Sequence, residues 1–128
     1  MRTIKFRGKD RRTGKWYYGN LYVKDTRGRT HICTPERGCF DIDPETVGQF
    51  IGLYDKDGKE IYEGDILDFN GFKIEVRFVR GIFALLCNGD LDNGLCGDCR
   101  TDMFAKVIGN IHDNPELLKG VRNDNRRI

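Results

Sequence analysis

Long hydrophobic runs and an export signal are absent from this sequence of 128 residues. The longest apolar run, Ile82–Cys87, is far shorter than the roughly 18 residues that a membrane-spanning helix needs. Residues 1–7 have neither the apolar stretch nor the small-residue cleavage site of a secretion signal. We therefore expect neither membrane insertion nor secretion, and we predict a cytoplasmic protein. The length fits one compact domain, or one barrel-sized domain with an N-terminal elaboration.

A recognisable set of catalytic residues is also absent. Neither His31 nor His112 accompanies a Ser or Cys nucleophile in a motif. Glu63 and Asp65 are close in sequence, but a polar turn that enters a strand explains them better than acid–base chemistry does. Asp55–Gly58 begins like a calcium loop and lacks the bidentate Glu at the twelfth position, so we predict a turn there. We expect a protein that is not an enzyme.

Five cysteines form an odd set, and without an export signal they do not indicate a disulfide framework. Cys96 and Cys99 have the Cys-x-x-Cys spacing with which two thiolates chelate one tetrahedral zinc ion. The remaining two ligands would have to come from Cys33, Cys39, Cys87 or His31, and none of these forms a second pair with suitable spacing. We expect no cofactor, and a zinc site at Cys96 and Cys99 stays open as an alternative.

The net charge of +2 hides an uneven distribution. Residues 1–15 hold seven Lys and Arg side chains against one acid, and residues 119–128 hold four against one. The chain therefore has basic ends, of +6 and +3, on an acidic body. Basic arms bind phosphates through counterion release, but they also simply keep a hairpin or a tail solvated.

The distribution of apolar residues predicts a mainly β protein. Short runs of Val, Ile, Phe and Tyr alternate with breaks that are rich in Gly, Asp and Asn. Residues 3–7 and 16–23 predict a first hairpin, and residues 30–33 and 39–42 predict two further strands. Asn70-Gly71 is the strongest two-residue hairpin signal in the chain. Five short strands between residues 61 and 111 would close into a small barrel with these inward residues: Ile66, Ile74, Val76, Phe78, Phe83, Leu85, Val107 and Ile111. Pro115–Leu118 predicts a helical turn with Asn114 as its cap.

Two segments resemble the signatures of the YopX family, small proteins encoded by bacteriophages and prophages. They are Gln49-Phe-Ile-Gly-Leu-Tyr-Asp-Lys-Asp-Gly-Lys-Glu-Ile-Tyr-Glu-Gly-Asp-Ile66 and Val107-Ile-Gly-Asn-Ile-His-Asp-Asn-Pro-Glu-Leu-Leu118, and the opening Ile4-Lys-Phe-Arg7 agrees with them. The resemblance implies an N-terminal β-rich segment (residues 1–59) and a C-terminal SH3-like barrel (residues 60–118), before a basic tail (residues 119–128). It implies expression in the cytoplasm of a bacterial host and no particular activity. The Cys96/Cys99 pair departs from the family pattern.

Aromatic and basic residues interleave in the first hairpin. Trp16 and Tyr17 follow a basic run, and together they form our candidate binding surface: Arg7, Lys9, Arg11, Arg12, Lys15, Trp16 and Tyr17. Stacking rings among cations suit single-stranded nucleic acid or an acidic protein tail. Alternation along the strand places Trp16 and Tyr18 on one face and Tyr17 on the other, so packing in the core or between subunits is the alternative.

From these patterns we predict a non-catalytic binding or assembly module that acts through the first hairpin and the barrel rim. We expect a protein partner or self-association, because short sheets with open edges tend to pair. Nucleic-acid binding by the basic hairpin and tail is the first alternative, and a metal protein centred on Cys96 and Cys99 is the second. Nothing indicates a membrane partner or a small-molecule substrate.

Overall fold

The computed structural model describes residues 3–87 and 105–118. The chain divides into two units, Met1–Gly52 and Leu53–Ile128. In these described ranges, the strands of both units pair in antiparallel fashion. The strands are β1 (Phe6–Lys9), β2 (Trp16–Tyr22), β3 (Thr30–Thr34), β4 (Gly38–Ile42), β5 (Gly48–Tyr54), β6 (Glu60–Tyr62), β7 (Asp65–Phe69), β8 (Phe72–Val79), β9 (Ile82–Cys87) and β10 (Lys106–Asn110). A 3-10 turn at Pro44–Thr46 precedes β5.

The N-terminal unit is a curled sheet with the strand order β4-β3-β2-β1-β5. A bridge between Asp10 and Ile42 brings the end of β1 back to the end of β4. Gly8 lies inside this curl, where an added Cβ would overlap the side chain of Ile42. The glycine therefore allows β1 to approach the buried Ile32 and Ile42 closely.

The second unit begins with a hairpin, in which the end of β5 lies beside β6, and continues as a four-stranded sheet of order β10-β7-β8-β9. Asn70 and Gly71 join β7 to β8 with φ angles of 51° and 91°. Arg80 and Gly81 join β8 to β9 with φ angles of 51° and 87°. Two positive φ angles in succession define the turn that matches the twist of paired strands. The hairpin predicted at Asn70-Gly71 is confirmed.

The predicted inward residues are half confirmed. Ile66, Ile74, Val76 and Val107 are buried, but the side chain of Phe78 is 51% exposed. Phe83, Leu85 and Ile111 are only partly buried, whereas Ala84 and Leu86 are fully buried. The register explains this error, because Glu75 pairs with both Ile66 and Leu86 and places a buried set on the face opposite Val76. Both faces of the sheet hold buried residues, so alternation alone does not identify a single inward face.

Aspartates close the turns that follow β2 and β5 in the same way. The Oδ1 atom of Asp25 accepts the N–H groups of Arg27 and Arg29 at 2.7 and 2.9 Å. The Oδ1 atom of Asp55 accepts the N–H groups of Asp57 and Lys59, both at 2.9 Å. The predicted turn at residues 55–58 is confirmed, since its carboxylate is occupied by backbone donors.

The segment after β10 is held by two asparagines. The Oδ1 atom of Asn110 accepts the N–H groups of His112 and Asp113, both at 2.9 Å. The Oδ1 atom of Asn114 accepts the N–H of Asn110 at 3.2 Å. Asn114 lies at the start of the helical turn, where its carbonyl accepts the N–H of Leu117 at 3.1 Å, and its side chain binds back to the end of β10. The helical turn itself is present, because the N–H of Leu118 donates to the carbonyl of Pro115.

The described residues form two open antiparallel sheets, and no closed barrel is found among them. The structure thus supports a mainly β fold, and the SH3-like barrel stays a prediction. In the described ranges, no helix has the length and apolar character that spanning a membrane requires.

Candidate binding groove

One face of the N-terminal sheet joins the tryptophan to two cations. Lys9 pairs with Trp16 and Arg7 pairs with Tyr18, so all four side chains share one face. The guanidinium of Arg7 lies 4.8 Å from the centre of the Trp16 ring, and the Nζ atom of Lys9 lies 5.9 Å from it. These are cation–π contacts, which hold the ring in place. Arg7 is buried and Trp16 is partly exposed.

Tyr17 lies on the opposite face, as the alternation predicted. It pairs with Gly8 in the β1–β2 ladder. Its ring stacks on Phe40 of β4 with a distance of 3.7 Å between the ring centres and an angle of 7° between the planes. The contact fixes the first half of β2 against β4.

A groove with a volume of about 260 Å³ opens beside the first half of β2. The ladder between β2 and β3 starts at Asn20 and Cys33, so residues 16–18 extend beyond the end of β3. They face the loop that joins β3 to β4. The groove, which we call the aromatic groove, is lined by Trp16, Tyr17, Tyr18, Thr34, Pro35, Glu36 and Arg37.

The loop side of the aromatic groove is held by Thr34 and by a disulfide. The hydroxyl of Thr34 accepts the N–H of Arg37 at 3.0 Å, and it donates to the carbonyl of Gly38 at 3.4 Å. Cys33 and Cys39 are directly opposite in the β3–β4 ladder and form a disulfide. The odd number of cysteines and the missing export signal did not indicate a disulfide framework, and this single bond was not predicted. Cys33 and Cys39 are six positions apart in the sequence, which is too far for the usual spacing of two zinc ligands. The register of the hairpin nevertheless places them opposite each other, where a cross-strand disulfide forms.

The other basic residues of the candidate surface lie away from the groove lining. Arg11, Arg12 and Lys15 are exposed in the turn between β1 and β2. Arg11 forms an ion pair with Asp41, at 3.6 Å between Nε and Oδ1. The carboxylate of Asp10 accepts the backbone N–H groups of Arg12 and Thr13. These two hydrogen bonds lower the pKa of Asp10, and the one from Arg12 has the larger effect. Hydrogen bonds between its own residues therefore hold this turn.

Residues 34–37, which contribute four of the seven lining residues, were missed by sequence reasoning. The available signal was Cys33 and Cys39 flanking a short segment with Pro35 and Gly38, which is typical of a hairpin loop. Seeing it required the assumption that the two cysteines are cross-strand neighbours.

A strong hydrogen-bonded pair lies at the far end of β3. The Nε2 atom of His31 and the Oδ2 atom of Asp25 are 2.7 Å apart. The N–H of Arg29 and then the imidazole of His31 lower the pKa of Asp25 to about 2. The Asp25 carboxylate is therefore engaged in holding its own turn and the imidazole of His31.

The zinc alternative finds no support among the described residues. In residues 3–87 and 105–118, no three His, Cys, Asp or Glu side chains come together as a metal site would require. Cys33 and Cys39 are bonded to each other and are not thiolates in this form. Cys96 and Cys99 lie outside the described residues, so the predicted metal pair remains untested.

These features define a small β protein with two antiparallel sheets and an aromatic groove on the first. A family model described as YopX protein matches residues 5–119, and the chain belongs to the YopX family. Its fold is similar to that of protein EF1440 from Enterococcus faecalis, with a TM-score of 0.61 and 24% sequence identity. The similarity covers 93% of this chain and 100% of that one. No curated protein matches the chain.

Proposed function

We propose that this protein is a non-catalytic binding module whose N-terminal unit holds an extended segment of a partner protein in the aromatic groove. The observation that carries the proposal is the groove itself, whose lining combines three consecutive aromatic residues of β2 with the proline-containing loop between β3 and β4. Aromatic grooves of this kind recognise extended, proline-containing segments, because such segments lose little conformational entropy on binding.

The charges around the groove favour a protein segment over a nucleic acid. Its lining includes one acidic side chain, Glu36, and one basic side chain, Arg37. Two cations of β1, Arg7 and Lys9, contact the Trp16 ring. The groove is therefore close to neutral, whereas a nucleic-acid groove carries a line of cations along the phosphates.

Trp16 is the only tryptophan of the chain, so its fluorescence reports directly on the groove. We would select 12-residue peptides from a random display library on the wild-type protein. Binders would be confirmed by titration against Trp16 fluorescence. Tyr18→Ala should weaken the selected peptides about tenfold, because Tyr18 lines the groove and is 45% exposed.

Tyr54→Ala is the matched control, since Tyr54 is 46% exposed in the second unit. It should leave the peptide affinity unchanged. The proposal is wrong if selection yields no peptide that changes Trp16 fluorescence, or if the two tyrosine variants weaken binding equally.

Nucleic-acid binding is a second candidate, and the charge of the N-terminal unit favours it. Residues 1–52 hold eleven Lys and Arg side chains against six Asp and Glu. Arg11, Arg12 and Lys15 are exposed together in one turn. A labelled 12-nucleotide oligothymidine should then bind at low salt, with an affinity that falls steeply as salt rises. Replacing the three residues by alanine should remove this binding, and no binding to the wild-type protein at low salt would exclude the candidate.

Our remaining predictions concern the origin of the protein, its location in the cell and its self-association. An origin in a phage or prophage, a place in the bacterial cytoplasm and self-association all stay predictions. Solution mass measurement would test self-association. Metal analysis of the purified full chain would test zinc at Cys96 and Cys99.

A further inference from the structure

The Cys33–Cys39 disulfide closes the same loop that forms one side of the aromatic groove. Thr34, Pro35, Glu36 and Arg37 all line the groove, and all four lie between the two bonded cysteines. We propose that this disulfide is a redox switch of the groove: the oxidised form holds the loop against β2, and reduction releases it. The effect on a partner rests on the function proposed above, but the effect on the loop does not.

The two sides of the groove are held by unequal means. On the β2 side, Trp16 contacts Arg7 and Lys9, and residues 16–19 pair with β1. On the loop side, the side-chain hydrogen bonds of Thr34 and the disulfide hold the tip of the β3–β4 hairpin. Pro35, Glu36 and Arg37 are all exposed and therefore contribute little packing. Loss of the covalent bond should therefore loosen the loop and leave the β2 side in place.

Access to the bond is also unequal. Cys39 is exposed, whereas Cys33 is partly buried. A reductant thiolate would therefore attack the Sγ atom of Cys39, and the Cys33 thiolate would leave and take up a proton. With a dithiol, the second thiol then attacks the mixed disulfide and releases Cys39, which takes up the second proton. Two electrons pass to the protein, and the dithiol becomes a cyclic disulfide.

Trypsin gives a direct assay of the bond. Cleavage after Arg29, Arg37 and Lys56 places Cys33 and Cys39 in separate peptides, residues 30–37 and 38–56. In the oxidised protein these peptides run as one linked species, and dithiothreitol should separate them. Cys87, Cys96 and Cys99 all fall in residues 81–100, so they do not interfere with this assignment.

The ligand-free test compares amide hydrogen exchange in the oxidised and reduced full chain. We expect exchange at residues 34–38 to accelerate at least about tenfold on reduction, while residues 16–19 change little. A Cys33→Ser/Cys39→Ser variant should behave like the reduced protein whether or not reductant is present. A Cys87→Ser/Cys96→Ser/Cys99→Ser variant keeps the bonded pair and should respond as the wild type does.

Two results of the ligand-free tests would overturn the switch. The first is that peptides 30–37 and 38–56 are never linked after mild oxidation. The second is that the bond forms and exchange at residues 34–38 is the same in both states. If selected peptides bind, reduction should weaken them about tenfold. Peptides that bind equally to the oxidised and reduced protein would refute the switch and leave the proposed function standing. If no peptide binds at all, the proposed function is refuted. The hydrogen-exchange result then still shows whether the disulfide holds the loop.

Discussion

The carboxylate of Asp55 accepts the backbone N–H of Val107 at 3.0 Å, across 52 positions of the sequence. The same carboxylate closes its own turn through Asp57 and Lys59. The N–H of Lys56 donates to the carbonyl of Ala105, which adds a second link between the turn and the start of β10. One buried aspartate therefore fixes both a local turn and the start of β10.

Replacement of Asp55 should lower stability more than replacement of its counterpart in the first unit. Asp55→Ala removes the acceptor of three N–H groups and leaves that of the buried Val107 unsatisfied. We expect a loss of about 3 kcal/mol in the free energy of unfolding. Asp25→Ala is the matched control, because Asp25 closes a turn of the same design at a more exposed position.

Urea unfolding of the two variants, followed by circular dichroism, measures the difference. The Asp25→Ala variant should lose less, since its donors gain water when the carboxylate is removed. Equal losses for the two variants would show that the link to Val107 contributes nothing beyond the local turn.

The same carboxylate should make stability depend on acid pH. Burial raises the pKa of Asp55, but hydrogen bonds from Val107, Lys59 and Asp57 outweigh it and lower the pKa below the ordinary 3.8. A carboxyl group with a lowered pKa contributes stability above its unfolded pKa and loses it as pH falls through the folded value. Stability of the wild type should thus decline below about pH 4.

Asp55→Asn isolates this contribution, because asparagine does not titrate there. Unfolding free energies measured from pH 7 to pH 3 should fall more steeply for the wild type than for the variant. Asp10 and Asp25 titrate in both proteins, so their effects cancel in the difference. Parallel curves would contradict the assigned pKa shift.

Local signals in the sequence predicted the strands well. Asn70-Gly71 turns where expected because few other pairs accept two positive φ angles. The inward face of β9 was predicted wrongly, since Ala84 and Leu86 are buried while Phe83 and Leu85 are less so. Whether a face of a sheet is buried depends on what packs against that face. The alternation of apolar residues within one strand carries no information about this packing.

The candidate site was predicted in part for a similar reason. Trp16 and Tyr17 were identified from the aromatic cluster, and both line the groove. The opposite side was missed because it depends on the register of β3 and β4, which sets Cys33 against Cys39. Register is a relation between two segments, and no pattern in residues 34–37 alone specifies it.

Gly109 and Asn114 should be coupled in stability. An added Cβ at Gly109 would lie 2.6 Å from the Oδ1 atom of Asn114, the acceptor of the Asn110 N–H. Gly109→Ala should therefore displace Asn114 and cost about 1–3 kcal/mol. In an Asn114→Ala background the same change should cost much less, and a double-mutant cycle in urea measures the difference. Additive effects would show that the two residues are independent.

The stack of Tyr17 on Phe40 should contribute to the stability of the first unit beyond the area that it buries. A double-mutant cycle with Tyr17→Leu and Phe40→Leu should give a coupling energy of about 1 kcal/mol, because each leucine keeps apolar volume and removes the ring pair. The Phe78 and Phe83 rings, at 5.1 Å and 65°, supply a second aromatic cycle in the other unit. Because Tyr17 also lines the aromatic groove, its loss should change the emission of Trp16, whereas the Phe78 and Phe83 variants should not. A coupling energy near zero for Tyr17 and Phe40 would mean that β1 alone positions the first half of β2, and that the groove does not depend on the stack.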